Sequence, residues 1–142
     1  MKILSFFVLL LTPYLAFSQD WVTDFEEAKS RASSKNINII LVFQGSDWCA
    51  PCIKLDRELW STSEFIEYAE DHFVLLQADF PRKKTNKLPP EQQEKNNGLA
   101  ERYNSSGFFP FVVILDPTGK VLGETGYKKM SVAQHIEFLS TF

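Results

Sequence analysis

Two cysteines, Cys49 and Cys52, lie three positions apart, shortly after an apolar run at residues 37–43. Apart from Asn38 the run is apolar, and it is rich in β-branched residues and followed by polar ones, which predicts a strand buried on both faces of a sheet. Residues 44–47 then read as a loop, and a helix is predicted to begin around the cysteines and to run to about Leu59. A buried strand that leads into a Cys-x-x-Cys helix start restricts the fold more than any other feature.

The position of the cysteines favours redox chemistry. The free amides and the dipole at the start of a helix stabilise an anion, so we expect Cys49 to form a thiolate more readily than a free cysteine. Cys52 lies one turn further along, close enough to attack a mixed disulfide formed through Cys49. Pro51 is tolerated in this first turn, because the amide that it lacks would have no partner there.

Two other interpretations of the cysteine pair are open. A zinc site would need further ligands, and the only histidines, His72 and His135, have no finger-like spacing. A purely structural bridge would close a very small loop and would remove little entropy from the unfolded chain. We therefore expect a redox-active Cys49–Cys52 disulfide, with no metal and no other cofactor.

The first 18 residues differ from the rest of the chain. A short basic start precedes an apolar run at residues 3–11, and small residues stand at Ala16 and Ser18. This is the pattern of a signal peptide, residues 1–18, cleaved before Gln19. The alternative is an uncleaved membrane anchor, but the run is shorter than the roughly 20 apolar residues that a membrane span needs. We expect residues 19–142 to form a periplasmic or secreted domain without stable membrane insertion.

Charge and length limit the classes of partner. The chain has 142 residues, 44% of them hydrophobic and 23% charged, which is typical of one globular domain. It carries 15 Lys and Arg against 18 Asp and Glu, and loss of Lys2 with the signal peptide would change the net charge from −3 to −4. This mild acidity, with no basic cluster beyond residues 82–84, argues against nucleic acid as a partner.

Periodicity and turn signals predict the remaining elements. A helix opens at a capping box of Thr23 and Glu26, and another at a cap formed by Ser61 or Thr62. The others are a strand at 73–78, a loop at 80–90, a helix at 91–103, a strand at 111–115, a turn at 116–119, a strand at 120–123 and a helix at 131–139. Strands separated by helices imply parallel pairing, and the final hairpin adds an antiparallel pair. The result is an α/β fold, a mixed central sheet of about four strands flanked by helices, with an added N-terminal helix.

Two segments carry a resemblance to a known family. Residues 43–52 read Phe-Gln-Gly-Ser-Asp-Trp-Cys-Ala-Pro-Cys, and residues 107–110 read Gly-Phe-Phe-Pro. Together they resemble the thioredoxin superfamily, and the similarity extends from about Trp21 to Leu139. It is greatest to exported thioredoxin-like proteins with a Ser-Asp-Trp-Cys lead-in. The resemblance implies a thioredoxin fold and a thiol–disulfide oxidoreductase acting on protein substrates, in which Cys49 attacks and Cys52 resolves.

The same resemblance implies roles for three further residues. The proline that matches Pro110 is cis in the family and faces the cysteines, and the residue that matches Phe109 offers its backbone to an extended substrate segment. Trp48 matches the tryptophan that shields the sulfurs and gives an apolar contact surface. Simple core packing is the alternative for Trp48 and Phe109, and for Phe108 both interpretations stay open.

One position departs from the family pattern. Typical thioredoxins carry a buried acid six residues before the first cysteine, where this chain has Phe43. Asp56 lies four residues after Cys52 on the cysteine side of the helix, and is either a replacement proton relay or a solvated helix acid. We expect Asp47 to face solvent, and Glu58 is a weaker candidate for the relay.

The direction of disulfide exchange is less constrained. Ala50 and Pro51 between the cysteines, together with Asp56, favour a reductase, which in an oxidising compartment needs a transmembrane thiol reductase as electron donor. A rival is a thioredoxin-like binding module that holds a client or a metal ion without turnover. Peroxide reduction is a poorer alternative, because family peroxidases have a different pattern around the reactive cysteine. The charged segment 81–97 is either a solvated face or a docking edge, and we expect a monomer.

Overall fold

The structure, a computed structural model, describes residues 19–142, and the predicted signal peptide at residues 1–18 lies outside the described part. In chain order the elements are α1 (Phe25–Lys35), β1 (Asn38–Gln44), α2 (Ala50–Leu55), a π-helical turn (Asp56–Trp60), α3 (Ser63–His72), β2 (Phe73–Asp79), a 3-10 turn (Lys84–Asn86), α4 (Pro90–Tyr103), β3 (Phe111–Leu115), β4 (Val121–Thr125) and α5 (Val132–Leu139). The predicted order of helices and strands, including the N-terminal helix, is confirmed. None of the helices within residues 19–142 is long and apolar enough to span a membrane.

The four strands form one mixed sheet in the order β2-β1-β3-β4. β1 pairs in parallel with β2, with Gln44 opposite Asp79 at their carboxyl ends. β3 runs antiparallel to both β1 and β4, and its first residue, Phe111, lies opposite Phe43. The ends of β1 and β2 and the start of β3 therefore meet at one edge of the sheet. We call it the cysteine edge, because the chain leaves β1 there towards Cys49.

The parallel direction expected for strands joined by helices is right for β1 and β2 but wrong for β3. The middle of α4 lies beside the end of β2, where the Asn96 side chain donates to the Asp79 carbonyl at 2.8 Å. The end of α4 lies near the β3–β4 turn, where the Tyr103 hydroxyl donates to the Gly119 carbonyl at 2.7 Å. Residues 104–110 bring the chain back to the cysteine edge. β3 thus starts where β2 ended, and it must run antiparallel to β1.

Alternate residues of β1 belong to two hydrophobic cores, one on each face of the sheet. Ile39, Leu41 and Phe43 pack with residues of α1 and α4. Ile40 and Val42 pack with residues of α2, the π-helical turn, α3 and α5. All five are at most 1% exposed. The prediction of a strand buried on both faces is confirmed.

The helix caps agree only in part with the prediction. The cap of α1 is Asp24 rather than Thr23, and its carboxylate accepts a hydrogen bond from the Glu27 N–H at 3.0 Å. A carboxylate suits this place, because it satisfies a free amide and also complements the helix dipole. Of the two caps considered for α3, the structure has Thr62, whose hydroxyl accepts from the Phe65 N–H at 3.3 Å.

The helix that follows Cys49 ends its regular part at Leu55, before the predicted Leu59. The π-helical turn continues it to Trp60. Leu59 and Trp60, consecutive residues at the end of this turn, are both buried.

His135 on α5 is a buried titratable side chain, with 6% of its surface exposed. Burial is the main cause that lowers its pKa from the ordinary value of 6.5, against a backbone hydrogen bond at Lys128 and the charge of Glu58, which both raise it. The folded protein therefore binds this proton less tightly than the unfolded chain does. It follows that stability is fullest above pH 6.5 and is lost as the pH falls below that value.

We expect the free energy of unfolding, measured by urea denaturation, to decrease between about pH 7 and pH 5, and His135→Gln to remove most of this decrease. His72→Gln, which changes an exposed histidine, is the matched control and should keep it. Three carboxylates with lowered pKa values lose their stabilising effect mainly below about pH 4, outside this window: Asp24, Asp47 and Asp116. An equal decrease in His135→Gln and the wild type would show that another group is responsible.

Candidate active site

Cys49 and Cys52 are joined by a disulfide, with their Cα atoms 5.2 Å apart. Cys49 is the N-cap of α2, and its carbonyl accepts from the Ile53 N–H at 3.0 Å. The Cys49 N–H donates to the Gly45 carbonyl at 2.9 Å, which closes the loop between β1 and α2. The two cysteines are 4% and 3% exposed. The structure thus brings the predicted pair together at the start of a helix.

The second predicted motif, residues 107–110, lies against the first. The Phe109–Pro110 peptide bond is cis. The Phe109 ring packs edge-on against Trp48, with the ring centroids 5.5 Å apart. Pro110 is buried, whereas Trp48 and Phe109 are half-buried. This aromatic contact joins the two motifs at the cysteine edge.

Phe109 combines a fixed side chain with a main chain that makes no hydrogen bond within residues 19–142. Its ring is fixed by Trp48 on one side and by Phe80 on the other, with a Phe80–Phe109 centroid distance of 5.5 Å. Its N–H and its carbonyl, however, have no hydrogen-bond partner within residues 19–142. A free donor and a free acceptor beside the cysteine loop are what an extended peptide needs to pair with.

The preceding residue, Phe108, has its main chain fixed by Asn104 at the end of α4. The Asn104 Nδ2 donates to the Phe108 carbonyl at 2.9 Å, and its Oδ1 accepts from the Phe108 N–H at 3.0 Å. Gly107 allows the turn between them, with a φ of 69° that other residues rarely adopt. The Phe108 side chain is 61% exposed, so core packing is wrong for this residue.

Trp48 is held from three sides. Its indole Nε1 donates to the Phe80 carbonyl at 2.7 Å, and the Arg82 guanidinium lies over its ring, 3.6 Å from the centroid. The Gly45 backbone is so close to the ring that an added Cβ would collide with it. Sequence reasoning missed Phe80 and Arg82. The signal that could have found them is the parallel pairing of β2 with β1, which places the residues after each strand at one edge.

Two carboxylates fasten the loops at the cysteine edge. Asp79 accepts from the Ser46 N–H at 2.9 Å and from its hydroxyl at 2.6 Å. The expectation that Asp47 faces solvent is only partly right, because its half-buried carboxylate accepts, at 2.9 to 3.0 Å, from the N–H groups of Arg82 and Lys83 and the side chain of Asn86. These hydrogen bonds, the one from the Arg82 N–H above all, lower the Asp47 pKa below its ordinary 3.8.

The acid that is missing at Phe43 has no buried replacement within residues 19–142. Phe43 itself is fully buried. Asp56 is exposed, and its carboxylate accepts from the Ser61 hydroxyl at 3.0 Å, which fits the solvated helix acid rather than a buried relay. Glu58 is also exposed and accepts from the Tyr127 hydroxyl at 2.9 Å.

Comparison with known proteins identifies the family. The profile of the family described as thioredoxin-like matches residues 20–117 of this chain. The chain belongs to the thioredoxin-like family. With the Cys49–Cys52 pair at the start of α2, this membership makes it a thiol–disulfide oxidoreductase of the thioredoxin superfamily.

Individual relatives agree with the family. The disulfide bond reductase DsbH of Chlamydia pneumoniae is 35% identical over 124 residues, which cover 87% of this thioredoxin-like chain and 72% of DsbH. A solved structure of a DsbH oxidoreductase is 31% identical, with a TM-score of 0.80 over 96% of this chain and 92% of that one. A thioredoxin from Thermus thermophilus shares the fold, with a TM-score of 0.60, 21% identity and coverage of 85% and 84%.

We expect Gly45→Ala to destabilise this thioredoxin-like domain by about 1–3 kcal/mol, because the new Cβ would displace the Trp48 ring or the loop backbone. Gly98→Ala in α4 is the matched control. Nothing lies within 4 Å of its added Cβ, and alanine is favoured over glycine inside a helix by about 0.5–1 kcal/mol. Urea denaturation followed by tryptophan fluorescence measures both. An unchanged Gly45→Ala unfolding free energy would contradict the tight Trp48 contact.

Proposed function

We propose that this protein reduces disulfide bonds in exported proteins, with Cys49 as the nucleophile and Cys52 as the resolving thiol. The observation that carries the proposal is the Cys49–Cys52 disulfide at the start of α2, joined through Trp48 and Phe109 to the cis-proline segment. The reducing direction is supported by the 35% identity to a protein named as a disulfide bond reductase.

The reaction consists of two thiol–disulfide exchanges that begin from the dithiol form. The Cys49 thiolate attacks one sulfur of the substrate disulfide, the substrate S–S bond breaks, and the other substrate sulfur leaves as a thiolate. The Cys52 thiolate then attacks the Cys49 sulfur, and the second substrate sulfur leaves. The substrate gains two electrons and takes up two protons, while the protein ends with the Cys49–Cys52 disulfide.

The remaining residues of the site hold the substrate. An extended segment that carries the target disulfide pairs with the free main chain of Phe109, with Pro110 setting the direction of that chain. The half-buried Trp48 ring supplies an apolar wall beside the sulfurs. We assign no proton transfer to Asp56, because its exposed carboxylate already accepts a hydrogen bond from Ser61.

The location and the electron donor complete the proposal. Cleavage of residues 1–18 would release a monomeric domain that begins at Gln19 into the periplasm or the medium. Such compartments are oxidising, so each turnover must be followed by reduction of the Cys49–Cys52 disulfide. We propose a transmembrane thiol reductase as the donor.

Cleavage after Ser18 can be tested on the exported protein. Mass spectrometry should find Gln19 as its first residue, and an intact Met1 would contradict cleavage.

Cys52→Ala should accumulate mixed disulfides with oxidised insulin, because the sulfur that resolves the first intermediate is absent. Cys49→Ala is the matched control and should form no mixed disulfides. In this variant we expect insulin to be reduced by dithiothreitol only at the uncatalysed rate. Non-reducing electrophoresis and mass spectrometry of the adducts measure the effect. Trapping through Cys52 in the Cys49→Ala variant, with none in Cys52→Ala, would reverse the two roles.

The reduction potential of the Cys49–Cys52 pair decides the direction. We expect equilibration of residues 19–142 with dithiothreitol or glutathione to give a value near that of thioredoxin, about −270 mV. A value near −120 mV would mean that the protein donates disulfides instead, which overturns the reducing direction but keeps the exchange chemistry. If no reversible dithiol–disulfide couple is found, the proposed disulfide reduction is wrong and the protein acts as a thioredoxin-like binding module.

A further inference from the structure

We propose that residues 82–87, which we call the basic loop, form a second recognition surface that binds an acidic segment of the substrate protein close to its disulfide. This inference rests on the proposed function, because it assigns a substrate class to the same site. Four of the six residues in the basic loop are cations: Arg82, Lys83, Lys84 and Lys87.

The charges of the basic loop are available to a partner. All four cations are exposed, and none forms an ion pair with a carboxylate within residues 19–142. The Asp47 carboxylate is in contact with the loop, but it binds the Arg82 and Lys83 N–H groups and the Asn86 side chain rather than the charged ends. The loop and Asp47 together still carry three net positive charges, on a chain whose overall net charge is −3.

The basic loop is continuous with the substrate site. The Arg82 guanidinium covers one face of the Trp48 ring, at 3.6 Å from its centroid, and the same ring packs against Phe109. A peptide that lies along the Phe109 main chain and touches Trp48 therefore has the first cation of the loop next to it. The neighbouring lysines extend the positive surface beyond the tryptophan.

The basic loop is also held in place. Asp47 accepts three hydrogen bonds from it, and the Asn86 N–H donates to the Lys83 carbonyl at 3.0 Å in the 3-10 turn. A loop whose backbone is already ordered loses less conformational entropy on binding than a flexible loop does. Clustered positive charges raise the rate of association with acidic segments and disfavour the binding of basic segments.

Two disulfide peptides of equal length test the proposal, one with Asp and Glu beside the disulfide and one with Ser and Gln there. The quantity compared is the ratio of kcat/KM for the acidic peptide to kcat/KM for the neutral one. We expect the wild type to favour the acidic peptide about three- to tenfold at about 0.15 M NaCl. The preference should approach one at about 0.5 M NaCl, where the charges are screened.

The double variant Lys83→Gln/Lys84→Gln should remove most of this preference, and Lys35→Gln/Lys120→Gln is its matched control. The control loses the same net charge, but Lys35 precedes β1 and Lys120 follows the β3–β4 turn, at the edge of the sheet opposite to the cysteines. The length of β1 separates the two edges by roughly 20 Å, more than two Debye lengths at physiological salt. An equal loss of preference in both variants would overturn the proposal, because net charge alone would then explain it.

A second measurement does not depend on turnover. Fluorescence anisotropy of a labelled acidic peptide without cysteines should show weaker binding to Lys83→Gln/Lys84→Gln than to the wild type and the control. Equal binding to all three, with no preference in turnover, overturns the proposal. Absence of turnover with both peptides refutes the proposed function instead, and the anisotropy still decides on the basic loop. Anionic lipid vesicles test a different partner. If the wild type sediments with them, the double variant does not, and no peptide preference is found, the loop binds a membrane surface and the proposal is overturned.

Discussion

Burial of β1 on both faces is the constraint on which the rest of the structure depends. Its five central residues are packed between two cores, and both of its edges are hydrogen-bonded, one to β2 and the other to β3. A slip of one residue would exchange the two faces and would move every one of these side chains into the wrong core. The end of the strand is therefore fixed relative to Asp79 and Phe111, and so is the loop that carries Cys49. Packing of apolar side chains thus fixes the position of the loop that carries the reactive Cys49.

The elements with strong local signals could be predicted from the sequence. An apolar run interrupted only by Asn38 identified β1, and the Cys-x-x-Cys spacing placed the cysteines at a helix start. The direction of β3 could not be predicted in this way, because it depends on the path of α4 and of residues 104–110 across the molecule. The cap at Asp24 and the π-helical turn after Leu55 also escaped prediction. Thr23 and Asp24 can both cap a helix, so the local sequence does not decide between them, and no local signal marks the change to a π-helical turn.

The residues of the candidate site also differ in whether a local sequence motif marks them. Trp48, Phe109 and Pro110 belong to short motifs, so resemblance to a family was enough to select them. Arg82, Phe80 and Asn104 act through contacts with residues distant in sequence or through a loop without periodicity, and no local pattern marks them. Spacing placed Asp56 on the cysteine side of its helix, but spacing contains no information about depth, and the carboxylate lies at the surface.

The amide of Asn104 has a consequence for the exposed ring of Phe108. The N–H and the carbonyl of Phe108 are both bonded to the Asn104 side chain, which restrains the main chain of this residue. Its ring can change only by rotation about two side-chain bonds. Any contact made by this phenyl group therefore costs little conformational entropy, because no main-chain torsion has to be fixed as well.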